Sequence, residues 1–271
     1  MEKNVKKKKF SILGISLWEI LAYFIIYSIA GFIIETIFAV VVYGVLESRQ
    51  SFLYGPFCSI YGLGAVIMIL FLQYFKKNNV TLFVGGFIIG SITEYLVSFI
   101  GELILHVKWW DYSNLPLNIN GRICFAYSIF GGILAIFLMR VIHPLIRNLI
   151  AIILKKFNIK ILKSVVSATI IFMIFDCFIS AYAIQLFTIR MIAEYDLNVD
   201  KKEIVCELND KLYENKFRAT LINTFFNDKI MIRTYPNLKV KQLDGSIVYF
   251  RDLLPNINPY YFKFGFSFYE K

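Results

Sequence analysis

Five stretches of the chain are apolar almost without interruption, at approximately 17–46, 56–75, 80–105, 123–142 and 162–191. A helix needs about 20 residues to cross roughly 30 Å of hydrocarbon, so each stretch is expected to span a membrane. The first follows a cluster of lysines, as a secretory signal would. Its apolar run is far longer than the 7–15 residues of a signal core, and no small-residue cleavage site follows, so it reads as a retained helix.

The pattern changes in two places. From 143 to 163, Leu145, Ile146, Leu149, Ile150, Ile153 and Leu154 recur at helical spacing beside Arg147, Lys155 and Lys156. This is either a basic amphipathic helix on the membrane surface or an extension of the fourth span, kinked at Pro144. Beyond Met191 the chain becomes polar, with 12 Lys and Arg against 11 Asp and Glu over 191–271. There Ile204, Leu208, Leu212, Phe217, Leu221 and Phe225 predict an amphipathic helix. Asp244-Gly245 predicts a hairpin, and Phe262, Phe264, Phe266 and Phe268 alternate as in a strand. The expected architecture is an all-α membrane protein. It has a bundle of about five transmembrane helices over 1–191, with a sixth, re-entrant crossing as the alternative, and a small polar appendage over 192–271.

Composition agrees with this pattern. Of 271 residues 58% are hydrophobic, 17% aromatic and only 18% charged, and Phe alone occurs 27 times. A soluble domain of this length carries about 25% charge. With 15 Gly and 4 Cys, collagen and a disulfide scaffold are excluded. The net charge of +10 could point to nucleic acid, but its distribution points to topology. With the N-terminus cytoplasmic, 13 basic residues (Lys3, Lys6, Lys7, Lys8, Lys9, Lys76, Lys77, Arg140, Arg147, Lys155, Lys156, Lys160 and Lys163) lie inside, against Arg49, Lys108 and Arg122 outside. Positive loops resist translocation, so this asymmetry predicts a multi-pass cell-membrane protein with its N-terminus inside and no nucleic-acid partner.

Three acids lie within apolar spans: Glu35, Glu94 and Asp176. A carboxylate at mid-bilayer costs about 2.5–3.5 kcal/mol, so each should face the bundle interior. Counting from the helix ends at 1.5 Å per residue puts all three near the midplane, roughly 17 Å deep for Glu35 and Glu94. No Lys or Arg occupies a span at that level, so the acids are candidates for an ion or substrate pathway. The alternative is that they are protonated and hydrogen-bond to Ser, Thr or Tyr as packing groups. On the third span Gly86, Gly90, Glu94, Ser98 and Glu102 recur every fourth residue and share one face.

The two loops expected outside are also distinctive. One reads Phe52-Leu53-Tyr54-Gly55-Pro56-Phe57-Cys58-Ser59-Ile60-Tyr61-Gly62. The other reads Trp109-Trp110-Asp111-Tyr112-Ser113, then Asn118, Asn120, Gly121 and Arg122. Trp and Tyr at helix ends commonly anchor at the interface. Arg122 is the natural bidentate partner for Glu102 or Asp111, and the resulting cluster reads as a structural clasp more than as a substrate site. Cys58 and Cys124 are either a disulfide or buried thiols. His106 and His143 are expected on opposite faces and cannot share a metal. There is no phosphate-binding G-x-x-x-x-G-K-[ST] loop and no nucleophile elbow, so no catalytic residue, metal or cofactor is expected.

The run Tyr27-Ser28-x-x-Gly31-x-x-x-Glu35, both loop sequences, Glu94-Tyr95, Glu102 and Gly121-Arg122-Ile123-Cys124 resemble the ABC-transporter permease family called type IV, or CmpB-like. The resemblance covers about 27 to 176. The chain departs from it at Ser59, where the family has proline, and at Gln50-Ser51, where it has Arg-Gly. It implies an integral component of a transporter, with a separate ATP-binding subunit docking on the cytoplasmic stretch 141–163. The midplane acids argue instead for proton or cation coupling. The alternative function is a membrane-embedded enzyme on a lipid or lipid-linked substrate, with Glu102 or Asp111 as base and Arg122 holding a phosphate. An accessory subunit with neither activity is a third.

Overall fold

The computed structural model describes residues 11–105 and 110–265. It is mostly helical. Four helices are long and apolar enough to cross a membrane, at Leu17–Tyr43, Asn79–Leu103, Phe125–Lys156 and Ile159–Glu194, and a shorter apolar helix covers Ser59–Phe75. The five expected stretches thus correspond to four long helices and one short one. The second is short because 51–58 is irregular: Pro56 lacks an amide hydrogen, and the Leu53 and Tyr54 amides bond to side chains of a later helix instead of starting their own.

The chain folds as two compact units. The first comprises, among the described residues, 11–28, 59–105 and 110–171; the second comprises 29–58 and 172–265. Helices α1 (Leu17–Tyr43) and α6 (Ile159–Glu194) each contribute to both. The expected domain boundary at 191/192 falls inside α6.

In the first unit a small hairpin, β1 (Ser11–Ile12) and β2 (Ile15–Ser16), leads into α1. Ser16 and Glu19 close the helix start: the Ser16 amide and hydroxyl both donate to the Glu19 carboxylate. Helix α2 (Ser59–Leu72) ends in a 3-10 turn at Gln73–Phe75. Gly62 lets it approach α1, since a Cβ there would collide with Ser28 Oγ and the Phe24 carbonyl. Helix α3 (Asn79–Leu105) is capped by Asn78, whose Oδ1 accepts from the Thr81 amide at 2.8 Å. Two-residue strands β4 (Asn118–Ile119) and β5 (Ile123–Cys124) precede α4 (Phe125–Phe137). A π-turn at Leu138–Ile142 then continues into α5 (His143–Lys156). Pro144 is accommodated by that wider turn, so the fourth span and the 143–163 stretch are continuous as far as Lys156. Tyr23, Tyr27, Ile69, Leu72, Leu82, Ala135, Leu138 and Met139 form the core, with Ile142, Ile146 and Ile150 of the extension packed against it.

In the second unit the last turns of α6 belong to a hydrophobic core shared with the tail. Ala183, Phe187, Met191 and Ile192 pack with Leu53, Leu197, Met231, Ile232 and Phe250. The helix expected over 204–225 is two, α7 (Lys202–Glu214) and α8 (Lys216–Phe225). Asn215 breaks it and caps α8, accepting from the Phe217 and Arg218 amides. Helix α9 (Asp228–Thr234) follows, and the expected hairpin forms as β6 (Lys239–Lys241) and β7 (Ile247–Tyr249), with Gly245 at φ +87° in its turn. After α10 (Phe250–Leu253), β8 (Phe262–Lys263) pairs antiparallel with β3 (Val45–Leu46), the strand that follows α1. Phe266 and Phe268 lie outside the described residues. With these strand pairs the fold is mostly helical rather than all-α.

Candidate functional site

The second loop folds back along α3. Asn120 and Gly121, at φ +54° and +65°, make the tight turn between β4 and β5. A Cβ on Gly121 would collide with Asp111 Oδ1 and Ser113 Oγ, so glycine is required there on two counts. Inside the turn the Tyr112 amide donates to the Gly121 carbonyl at 2.8 Å. Asn118 Oδ1 accepts from the Gly121 amide, and its Nδ2 donates to the Ser113 and Leu115 carbonyls. Trp110 Nε1 donates to the Arg122 carbonyl at 2.8 Å.

Contacts from Arg122, Asn120 and Tyr112 fasten this hairpin to α3. Arg122 Nη1 pairs with Glu102 Oε2 at 2.7 Å and donates to Ser98 Oγ at 3.3 Å. Its guanidinium also lies over the Tyr95 and Phe99 rings, at 5.8 and 5.4 Å. Asn120 Nδ2 donates to Tyr95 Oη at 2.9 Å. The Tyr112 hydroxyl donates to Glu94 Oε1 at 3.0 Å, while its ring stacks on Tyr127 of α4 at 4.6 Å.

Of the two acids proposed for Arg122, Glu102 is its partner. Asp111 Oδ1 instead accepts from the Ser113 amide and hydroxyl, at 3.0 and 2.5 Å. Trp109 and His106 lie outside the described residues. Tyr95, Ser98 and Phe99 complete the clasp, and their positions at three- and four-residue steps on the Glu94–Glu102 face were the available signal. Gly86 and Gly90 of that stripe serve packing inside the unit. A Cβ on Gly86 would collide with Ala135 of α4, and one on Gly90 would crowd Met68 of α2 at 3.1 Å.

The remaining acids lie in the second unit. Asp176 is buried, and both its oxygens accept from the Tyr54 amide at 3.2 Å; Ser180, one turn on, accepts from the Leu53 amide at 2.6 Å. These bonds tie the first signature loop to α6. Exposed large apolar side chains on α6 run from Ile159 to Tyr182, and from Ala183 on the helix packs into the tail core. Glu35 is half-buried on α1, where Ile33, Ile34, Ile37 and Phe38 are exposed. Cys58 and Cys124 are both buried and are not joined by a disulfide. His143 is buried as well, 3.4 Å from the Tyr27 hydroxyl and edge-on to Tyr23. Among the described residues no cluster of His, Cys, Asp and Glu could hold a metal ion.

Long apolar helices, a lipid-facing exterior and buried polar clasps define a multi-pass helical membrane protein. The model of the family described as putative ABC-transporter type IV matches residues 22–181, more than half of the chain, and the protein belongs to that family. The match ends one residue past Ser180, so it includes both signature loops and their partners on α3 and α6. No curated protein and no solved structure matches the chain.

Proposed function

We propose that this chain is the membrane-embedded component of a transport system, with a cytoplasmic N-terminus and five crossings, the short α2 being the second. Glu35, Glu94 and Asp176 belong to its ion or substrate pathway. The observation that carries the reading is Glu94: a carboxylate on an apolar membrane helix, held by a tyrosine that the signature loop folds back to reach it. Arg122, on the same hairpin as Tyr112, is engaged by Glu102. A carboxyl in that setting is suited to take up a proton or a cation. An ATP-binding subunit, where one takes part, docks on the basic extension 141–163, where Leu145, Leu149 and Ile152 are exposed beside Arg147, Lys155 and Lys156.

Gln matches protonated Glu in size but cannot exchange a proton, and this separates transport from packing. Glu35→Gln and Glu94→Gln are expected to insert and melt like the parent, within about 1 kcal/mol, the scale of intramembrane hydrogen bonds. They are also expected to abolish growth complementation in a deletion strain. Full complementation by the double variant would refute the pathway and leave the acids as packing groups.

A further inference from the structure

The hairpin 110–124 is too deep to be a solvent loop. Arg140 donates from Nε to Asn79 Oδ1 and from Nη2 to the Lys76 carbonyl, both at 3.1 Å, so the π-turn is level with the Lys76-Lys77-Asn78-Asn79 turn. That polar turn marks one face of the hydrocarbon layer. Helix α4 begins at Phe125, 15 residues from Arg140, or only about 22 Å, against roughly 30 Å of hydrocarbon. Helix α3 has no such deficit: Val80, Val84, Ile88, Ile92, Leu96, Ile100 and Leu103 are exposed along one stripe of about 35 Å. The last third of α3 is therefore clasped not by a helix but by the hairpin, at a level still inside the membrane.

The hairpin's surface fits that level. Ile119 pairs across the hairpin with Ile123, and Ile123 joins Ser91, Ile92, Tyr95 and Leu96 in lining an open groove of about 210 Å³. Leu115, Leu117 and Ile119 are all exposed, Leu117 at 75%. Several polar groups of the loop are used within the clasp: Asp111 by Ser113, Asn118 by three backbone groups, Asn120 by Tyr95 of α3. Irregular backbone needs such internal partners wherever water is scarce.

We propose that the hairpin is embedded in the leaflet at the C-terminal end of α3, with Leu117 and Ile119 facing lipid, and that the groove beneath it seats the acyl chain of a membrane lipid. This holds for either orientation and does not depend on the transport reading. The test is a photo-crosslinking amino acid, p-benzoylphenylalanine, placed singly at Leu117, Ile119, Ile92 or Ile88 of the full chain in native membranes, with Asp244 in the tail as the exposed control. Mass spectrometry after irradiation should find lipid adducts at Leu117, Ile119 and Ile92 as at Ile88, and none at Asp244. Ile123→Trp, which fills the groove, should reduce the Ile92 adduct severalfold and leave that at Ile88 unchanged. Adducts at Ile88 without any at Leu117 and Ile119, or crosslinks from Leu117 to another protein, would overturn the embedded hairpin. An Ile92 adduct indifferent to Ile123→Trp would overturn the acyl-chain seat.

Discussion

At Arg122 one guanidinium serves a carboxylate, a hydroxyl and two aromatic faces. Glu102 is 42% exposed, so the ion pair contributes less than about 1 kcal/mol; each ring contributes about 0.5–1 kcal/mol. Arg122→Ala is therefore expected to cost about 2 kcal/mol, read as a lower detergent melting temperature. Arg122→Lys should recover less than half of that, because a point charge cannot lie flat on Tyr95 and Phe99 while reaching Glu102 and Ser98. Variants that both melt like the parent would show that the clasp is not structural. That Arg122 pairs with an acid was readable in the sequence, since opposite charges flank one loop, but the choice of Glu102 over Asp111 came from the structure. The Tyr112 bond to Glu94 was not readable, because it depends on a hairpin turning back along α3.

At the scale of elements, Gly86 of the α3 stripe is what lets α4 approach. Gly86→Ala would press a methyl group into Ala135, close to the Gly131 and Gly132 backbone, which cannot move aside as a flexible side chain could. It should cost about 1–3 kcal/mol in detergent melting, as overpacking does, whereas Gly64→Ala, with open space around it, should be neutral. Equal effects of the two substitutions would contradict the close α3–α4 packing. Periodicity located these helices but not their interruptions. The π-turn before Pro144 and the break at Asn215 arise where a missing amide hydrogen or a capping side chain outweighs continued helical spacing.

For the whole molecule, orientation and the side of the tail follow from the proposed five crossings. A cysteine at Tyr54, exposed in the loop after α1, should react with an impermeant thiol reagent on intact cells, and one at Asn78 should not. The tail should share the side of Tyr54, because β8 pairs with β3, the strand directly after α1; a cysteine at Asn209 tests this. Reaction at Asn78 with protection at Tyr54 would invert the topology, and protection at Asn209 alone would require a sixth crossing. The sequence by itself determined that this is a membrane protein, where its apolar helices lie and which charges demand partners, because insertion into lipid is governed by local hydrophobicity along the chain. Only the tertiary structure decided that α6 runs on to form the tail core, that Asp176 receives the backbone of the first signature loop, and that the second loop lies against α3. Those outcomes depend on contacts between segments tens to more than a hundred residues apart, which no local periodicity records.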